Sequence, residues 1–246
     1  MRFHYDLHIH SCLSPCSDDD MTPNNIVNMA LLKGLDLIAV SDHNSVGNLA
    51  AVLTVATEAG LLAVPAMELC TSEEIHLLCL FPDLDAGRAF EAALYDHGAV
   101  PQNRPDIFGE QLLLDEADNL TGNEKRMLLA ASGLDVGSAL RLLALLGGVA
   151  VPAHVDRDAY SMIATLGVIP AEYGFGTVEI SRAADAAAFR AEHPDTLPLQ
   201  FLVNSDAHHL WDISEPEHSI EMPERSISAL IQAIRGGTGI TSGDIR

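Results

Sequence analysis

Short β-rich runs alternate with amphipathic helical stretches along most of this chain, and that alternation limits its possible folds more than any other feature. Several of the runs are continuously apolar, which is typical of parallel strands covered on both faces. The seven predicted strands are 5–10, 35–40, 62–67, 75–81, 149–153, 177–180 and 199–204. Alternation of this kind predicts a parallel α/β architecture, and about seven strands favour a closed barrel over an open sheet.

The helical stretches between these strands have ordinary start and stop signals. The predicted helices are 23–33, 46–59, 86–97, 185–192 and 224–235. In the first of them Thr22 is the expected N-cap, Pro23 the first helical residue and Gly34 the stop.

One segment, from about residue 98 to 148, breaks the alternation. It is predicted to be mostly helical, to contain no clear strand, and to lie beside or over the barrel mouth. A chain of 246 residues is long enough for one barrel. We therefore expect residues 1–246 to form a single α/β domain, a distorted (β/α)7 barrel with a helical insertion.

The charge balance narrows the expected partners. The chain has 13 basic and 35 acidic residues, a formal net charge of −22, whereas sequence-independent nucleic-acid binding uses a basic surface. This predicts no contact with duplex nucleic acid. A small phosphorylated substrate would also be repelled unless bound cations reverse the field locally.

The apolar runs and the cysteines of the chain predict its cellular compartment and its relation to membranes. No run is long enough to span a bilayer, and the first residues lack the apolar core of a signal peptide. Four cysteines without a CxxC pair indicate free thiols in a reducing cytoplasm. We expect a cytoplasmic protein without a membrane partner; its residues leave the oligomeric state open.

Chemistry-bearing side chains concentrate near the ends of the predicted strands. His8 and His10 share one face of the first strand, so both imidazoles can converge on one ion. In α/β barrels the carboxyl ends of the strands meet at one face, where active sites form. The side chains expected to converge there are His8, His10, Asp18, His43, Glu68, His76, His154, Asp206 and His208.

Nine potential ligands exceed what one zinc or iron ion needs. The number suggests two or three divalent ions, with Glu68 as a bridging carboxylate. Imidazole and carboxylate ligands suit zinc, iron or manganese. Any one of these histidines could be an ordinary strand-end residue, but six of the eleven in this position favour a metal site.

Four further residues are predicted to support this site. Asp42 and Asp6 are expected to orient ligand imidazoles, and Glu179 either does the same or pairs with an arginine. Arg104, in an Asn-Arg-Pro segment, is a candidate for bidentate phosphate binding. Its alternative is an exposed arginine paired with Asp106 or Glu110.

Seven motifs of the chain, in this order, resemble those of the PHP (polymerase and histidinol phosphatase) family. They are Asp6-Leu7-His8-Ile9-His10, Ser17-Asp18, Asp42-His43-Asn44, Met67-Glu68, Ile75-His76, Pro152-Ala153-His154 and Ser205-Asp206-Ala207-His208. The resemblance covers nearly the whole chain except the insertion. It implies a distorted seven-stranded barrel holding three metal ions, and it supports a substrate-facing arginine in an Arg-Pro segment.

The resemblance also implies which side chains share each ion. His8, His10, Glu68 and Asp206 would bind the first metal, Glu68, His76 and His154 the second, and Asp18, His43 and His208 the third. Many family members have histidine at the position of Asp18, so this ligand departs from the pattern.

A site of this kind predicts a metal-dependent phosphoesterase that hydrolyses a phosphate ester of a small molecule or nucleotide through metal-activated water. Two alternatives stay open. A metal-dependent amidohydrolase or deaminase also begins with an HxH strand. PHP-type domains attached to polymerases can be structural, so a non-catalytic metal-binding module is the second alternative.

Overall fold

The computed structural model of the chain describes residues 1–98 and 100–241. Residue 99, within the predicted insertion, and residues 242–246, within the predicted domain, lie outside the described residues. The strands are β1 Arg2–Ile9, β2 Leu37–Val40, β3 Leu62–Cys70, β4 His76–Leu80, β5 Leu112–Leu114, β6 Leu120–Asn123, β7 Val149–Pro152, β8 Thr177–Ile180, β9 Gln200–Val203, β10 Ser219–Glu221 and β11 Ile240–Thr241. The α-helices are α1 Pro23–Leu32, α2 Leu49–Ala59, α3 Leu84–Asp96, α4 Pro105–Phe108, α5 Val136–Leu145, α6 Met162–Leu166, α7 Ala186–Glu192 and α8 Ile227–Gly236.

All seven predicted strands are present, and five of them belong to one curled sheet with the order β11-β10-β1-β2-β3-β4-β7. The other two, β8 and β9, pair in parallel with each other. Val155, just after β7, donates its backbone N–H to Glu179 O of β8 at 2.8 Å. On the opposite side, Ile9 of β1 forms a parallel bridge with Ala207 after β9. The β8–β9 pair thus fills the gap between the two sides of the curled sheet, consistent with a distorted barrel.

Seven successive β/α units are not observed, because β3 and β4 form an antiparallel hairpin without a helix between them. Thr71 N donates to Ile75 O at 2.9 Å, and Glu74 adopts a φ of +60° inside the turn. A turn this short can join only antiparallel strands. The consequence for the site is direct: Cys70 and His76 are paired, so the first residue of β4 lies at the carboxyl end of β3.

The strands are buried on both faces, as the apolar runs predict. Along β2, Leu37 and Ala39 belong to one buried cluster, whereas Ile38 and Val40 belong to a second cluster that includes residues of α1 and α2. Side chains that alternate along a strand point to opposite faces. The first cluster therefore fills the concave side of the sheet, and the helices cover the convex side.

The first helix begins and ends where its sequence predicts. The Thr22 hydroxyl accepts from Asn25 N, Pro23 occupies the first turn, and Gly34 adopts a φ of +75° beyond the last turn. This positive φ favours glycine because it has no Cβ.

The prediction of a mainly helical insertion at 98–148 is wrong for most of that segment. The segment contains the ten-residue helix α5, but α4 is only four residues long. Between them, β5 and β6 form a two-stranded antiparallel hairpin.

Tertiary contacts explain why the leucine-rich run 112–114 is a strand and not a helix. Leu112 N donates to Cys12 O at 3.1 Å. The Asn48 side chain donates to Leu112 O at 3.0 Å and accepts from Leu114 N at 2.9 Å. Leucine has a high helix propensity, but this weak local preference is overridden when distant groups satisfy an extended backbone.

Each helix in the described part of the chain is too short or too polar to cross a bilayer. The four cysteines are free thiols, as expected; Cys12, Cys70 and Cys79 are buried, and Cys16 is exposed. The cytoplasmic location stays a prediction.

Candidate metal centre

Eight of the nine predicted ligands lie together at the carboxyl ends of β1, β2, β3, β7 and β9. His8 is on β1 and His10 directly follows it; His43 lies just beyond β2, and Glu68 lies near the end of β3. Because β4 runs antiparallel to β3, its first residue, His76, lies at the same end of the barrel. The loops after β7 and β9 supply the remaining three, His154, Asp206 and His208.

Glu68 lies at the middle of this cluster and is 1% exposed. Its carboxylate oxygens lie 2.8 Å from His76 Nδ1, 2.9 Å from His43 Nδ1, 3.1 Å from His154 Nε2, 3.3 Å from His8 Nε2 and 3.4 Å from His10 Nε2. Five imidazoles exceed the four or so lone-pair positions of one carboxylate. The arrangement is more crowded than hydrogen bonding to Glu68 requires.

Asp206 adds a second carboxylate beside the HxH pair. Its Oδ1 atom lies 3.2 Å from His10 Nε2 and 3.4 Å from His8 Nε2. The two Nε2 atoms are themselves 3.3 Å apart. Ring nitrogens and carboxylate oxygens that face one another at this spacing form a natural set of ligands for a divalent cation.

The outer nitrogen of His8 fixes the orientation of its ring. Its Nδ1 atom lies 3.0 Å from both carboxylate oxygens of Glu179, a residue of β8 that is 2% exposed. Glu179 also accepts from His154 N at 3.2 Å and from the Asn204 amide at 2.7 Å. When Nδ1–H donates to Glu179, the Nε2 lone pair of His8 faces the cluster, where it can bind a metal.

A second chain of hydrogen bonds holds His10. The Ser14 hydroxyl donates to Asp42 Oδ1 at 2.7 Å, so its oxygen accepts from His10 Nδ1–H at 2.9 Å. Asp42 also accepts from Ser11 N and from the Ser11 hydroxyl. Asp42 thus contacts no ligand imidazole directly but reaches His10 through Ser14, and His10 Nε2 faces the cluster.

Asp6, in contrast, accepts hydrogen bonds from backbone N–H groups and not from an imidazole. It accepts from Ser205 N at 3.1 Å and from Ser214 N at 2.8 Å. These bonds position the loop that bears Asp206 and His208.

The donor set fits divalent cations. Three groups of ligand atoms each lie within 4.8 Å of one another: His8, His10 and Glu68; His43, Glu68 and His76; and His10, His43 and His208. Buried His154 Nδ1 has no hydrogen-bond partner among the described residues. Imidazole and carboxylate together suit zinc, iron or manganese. Binding of metal by each of these side chains stays a prediction.

The side chains of Asp18 and Arg104 pair with residues outside this cluster, although Asp18 N donates to His208 O at 2.9 Å. Asp18 is half-exposed, and its Oδ2 atom is 3.3 Å from His209 Nδ1. Arg104 is exposed and forms a bidentate pair with Asp106, with distances of 2.9 and 2.7 Å. This pair matches the alternative considered for Arg104, whereas the role of Asp18 as a metal ligand stays a prediction.

A pocket of about 700 Å³ opens directly over the cluster. Of the described residues that line it, Arg157 alone has a permanent positive charge. Its Nη1 atom lies 2.7 Å from Asp206 Oδ2. Arg157 is not among the residues predicted from the sequence, although it lies three residues after His154 in a loop at the end of a strand, which is a signal that identifies a candidate.

Electrostatics in the cluster differ from one imidazole to the next. Burial lowers the pKa of His10, but bonds to Asp206 and Glu68 outweigh burial and raise that pKa to about 9. Burial dominates at His43, where it lowers the pKa to about 4. The surrounding imidazoles outweigh burial at Glu68 and keep its pKa well below the usual range. Burial also lowers the pKa of His8, but the nearby carboxylates outweigh burial and raise that pKa well above its usual value. Without metal, these pKa values favour protonated His8 and His10 and neutral His43 at neutral pH.

Protons on His10 and His8 predict a pH-dependent affinity for metal. A cation must displace them, so its affinity should fall at least about tenfold for each pH unit below about 9. Calorimetric titration with Mn²⁺ at pH 7, in two buffers of different ionisation enthalpy, measures the protons released. We expect about one or more per protein; equal heats in both buffers would contradict the assigned protons.

The chain was compared with known proteins, and no family model matches it. A 5'-3' exoribonuclease of Haemophilus influenzae is 28% identical over 111 residues, which are 44% of this chain and 39% of the relative. Among solved structures, a lesion-specific endonuclease, PfuEndoQ from Pyrococcus furiosus, has a TM-score of 0.71 at 19% identity. That match covers 98% of this chain and 57% of the endonuclease, so the chain spans little more than half of that relative.

Two further solved structures also match. A two-domain protein of Bacteroides vulgatus, described as containing a PHP-like metal-dependent phosphoesterase, has a TM-score of 0.58 at 16% identity, covering 99% of this chain and 65% of that one. An amidohydrolase of Chromobacterium violaceum with bound sulfate has a TM-score of 0.60 at 19% identity, covering 97% and 98%. The predicted resemblance to the PHP family is confirmed at the level of the fold. The predicted class, a phosphoric ester hydrolase, agrees with the descriptions of the Pyrococcus furiosus endonuclease and of the Bacteroides vulgatus protein, but not with that of the amidohydrolase.

The expectation that duplex nucleic acid is excluded is wrong. Endonuclease Q also matches in a complex with a 27-mer duplex substrate that has an abasic lesion at the active site; the TM-score is 0.68 at 19% identity, covering 98% of this chain and 58% of that one. A protein with this fold can therefore bind duplex DNA. Net charge is a poor guide because binding depends on the local electrostatic field at a site and not on the summed charge of the chain.

Proposed function

We propose that this chain is a metal-dependent phosphoesterase that hydrolyses a phosphate ester of a small molecule or nucleotide. One observation carries the proposal: eight imidazole and carboxylate side chains converge beneath an open pocket that also contains Arg157. A phosphate group needs nearby positive charge to bind to an acidic protein. In this pocket, Arg157 and cations at the cluster would provide that charge.

The proposed cation ligands are those that the family resemblance implies; eight of them lie in the cluster, and Asp18 rests on the resemblance alone. His8, His10, Glu68 and Asp206 would hold one divalent ion, Glu68, His76 and His154 a second, and Asp18, His43 and His208 a third. Two or three ions of zinc, iron or manganese at these side chains would supply Lewis acidity toward a phosphoryl oxygen and an activated water at neutral pH.

The chain's own residues prepare the site for that chemistry. Glu179 and Ser14 hold His8 and His10 with their Nε2 lone pairs inward. Burial keeps Glu68 and its neighbours away from bulk water, so electrostatic interactions in the cluster are stronger than they would be in solvent.

Arg157 is the proposed phosphate-binding residue. Its side chain is 45% exposed, and its guanidinium contacts Asp206 in the lining of the pocket. If Asp206 binds a cation, this guanidinium can bind oxygens of a phosphate in the pocket, and the planar group suits two parallel hydrogen bonds. It takes the role predicted for Arg104, which is paired with Asp106.

Exchanging Arg157 for alanine should raise KM for phosphoester substrates about tenfold, because a charge-assisted hydrogen bond to phosphate is lost. The matched control is Arg104→Ala, which should leave KM unchanged. Steady-state kinetics on one phosphomonoester measures both variants. If only Arg104→Ala raised KM, the assignment of Arg157 would be wrong and the original prediction for Arg104 right.

Elemental analysis combined with a substrate panel tests the proposed function. The panel should include phosphomonoesters, phosphodiesters, single-stranded RNA and duplex DNA with an abasic site. We expect two or three equivalents of metal and turnover of at least one small phosphoester. Turnover confined to the nucleic acids would contradict the small-molecule part of the proposal.

The two alternatives predict other results in the same assay. The Chromobacterium violaceum neighbour favours an amidohydrolase as the second candidate, so the panel also needs amides and aminated nucleobases. Turnover of these compounds alone would reverse the ranking. Full metal loading without turnover of any compound would favour a non-catalytic metal-binding module.

A further inference from the structure

The outer wall of the pocket contains an aromatic ring that metal binding does not use. Tyr160 lines the pocket, is 48% exposed, and stacks on His76 with ring centroids 4.8 Å apart and planes inclined by 28°. His76 in turn contacts Glu68 at 2.8 Å. The His76 imidazole therefore lies between the phenol ring and Glu68 at the middle of the cluster.

Tyr160 is held in this position at a conformational cost. Its φ of +55° is unusual for a residue with a large side chain. The backbone is fixed there because Tyr160 O accepts from His76 N at 2.8 Å, and because the Ser161 hydroxyl donates to Arg157 O at 2.6 Å. Asp156, earlier in the same loop, accepts from Ser181 N at 2.8 Å. These bonds hold the backbone that carries the ring, and the ring itself is placed by its stacking on His76.

The neighbours of Tyr160 indicate what kind of group would lie against it. Leu129 and Ala159 also line the pocket and give it apolar surface, while Asp156 and Asp158 add carboxylates beside Arg157 and the metal cluster. At about 700 Å³ the pocket is far larger than a phosphate group needs. A ligand that fills it would combine one phosphate with an apolar, flat portion.

We propose that Tyr160 forms a nucleobase subsite, in which the base of a nucleotide stacks on the phenol ring while its phosphate lies at Arg157 and the metal cluster. This inference rests on the proposed function and specifies its substrate class. Arg157 is the one permanent cation among the described lining residues and contacts Asp206 of the cluster, so both can bind the same phosphate, which favours a nucleoside monophosphate. Each base has a π-face, so the subsite should accept all four bases.

Comparison of two substrates that differ only in the base tests the subsite. The probes are adenosine 5'-monophosphate and ribose 5-phosphate, assayed with wild-type protein and with Tyr160→Ala. We expect the variant to raise KM for the nucleotide about tenfold more than KM for the sugar phosphate. Tyr160→Phe, which keeps the ring, should restore the wild-type ratio, and Trp211→Ala serves as a control for an exposed aromatic outside the pocket lining.

Binding of adenosine 5'-monophosphate provides a second readout that does not need turnover. Calorimetry should show affinity for the nucleotide that falls about tenfold in Tyr160→Ala and is retained in Tyr160→Phe. Such binding without hydrolysis of any phosphoester would support the subsite while contradicting the proposed phosphoesterase. Equal effects of Tyr160→Ala on both probes, or an effect of Trp211→Ala as large, would overturn the subsite while leaving the phosphoesterase intact.

Discussion

Replacing Glu68 with glutamine should deplete the protein of bound metal and lower kcat/KM by at least about a thousandfold. Five imidazole nitrogens lie within 3.4 Å of the Glu68 carboxylate, more than surround any other carboxylate described in the site. The amide has no negative charge and offers one oxygen where the carboxylate offers two. It would therefore weaken every ion that Glu68 helps to hold.

The size of the side chain is conserved in Glu68→Gln, so the β3–β4 hairpin should still form. Circular dichroism checks the fold, and elemental analysis checks the metal content. Glu58→Gln, which makes the same chemical change on the exposed surface of α2, is the matched control. Glu68→Gln protein with full metal content and ordinary kcat/KM would remove the basis of the proposed function.

Substitution of Glu179 should weaken metal binding about a hundredfold although Glu179 contacts no cation in the proposed ligand set. Its carboxylate holds the Nδ1 side of His8 and the backbone N–H of His154. Loss of a group that orients a ligand imidazole typically costs about 10- to 100-fold in metal affinity. We place Glu179→Ala at the upper end of that range because it also leaves the Asn204 amide without its buried partner.

Two substitutions separate orientation of His8 from loss of charge. Glu179→Gln keeps a hydrogen-bond acceptor for His8 and removes only the charge, so its metal affinity should lie between wild type and Glu179→Ala. Competition with a chelator of known affinity measures all three proteins, and Glu172→Gln is the exposed control. Wild-type affinity in Glu179→Ala would show that His8 is oriented by something else.

The motifs in the sequence were sufficient to predict most of the cluster. The carboxyl ends of the strands in an α/β barrel lie at one face, so histidines at successive strand ends are expected to lie close together. His76 shows the strength of this reasoning and its limit. It was predicted correctly to join the cluster, but it does so from the first residue of an antiparallel strand and not from the end of a parallel one.

Local pattern failed where distant contacts decide the backbone. The run 112–114 is a strand because Asn48 and Cys12 satisfy its backbone groups, and these partners lie more than sixty residues away in the chain. Arg104 and Arg157 illustrate the same limit for function. Both occur in plausible loops, and only the folded chain pairs one with Asp106 and places the other over Asp206.

The sequence by itself determined the strand–helix rhythm, the capping of the first helix and the set of imidazoles and carboxylates available for metal. These properties depend on neighbouring residues, through periodicity and backbone geometry. The tertiary structure decided which arginine reaches the pocket, which carboxylate orients His8, and where Tyr160 stands. Those outcomes depend on contacts between residues far apart in the chain, whose distances are set only when the sheet curls and brings its strand ends together.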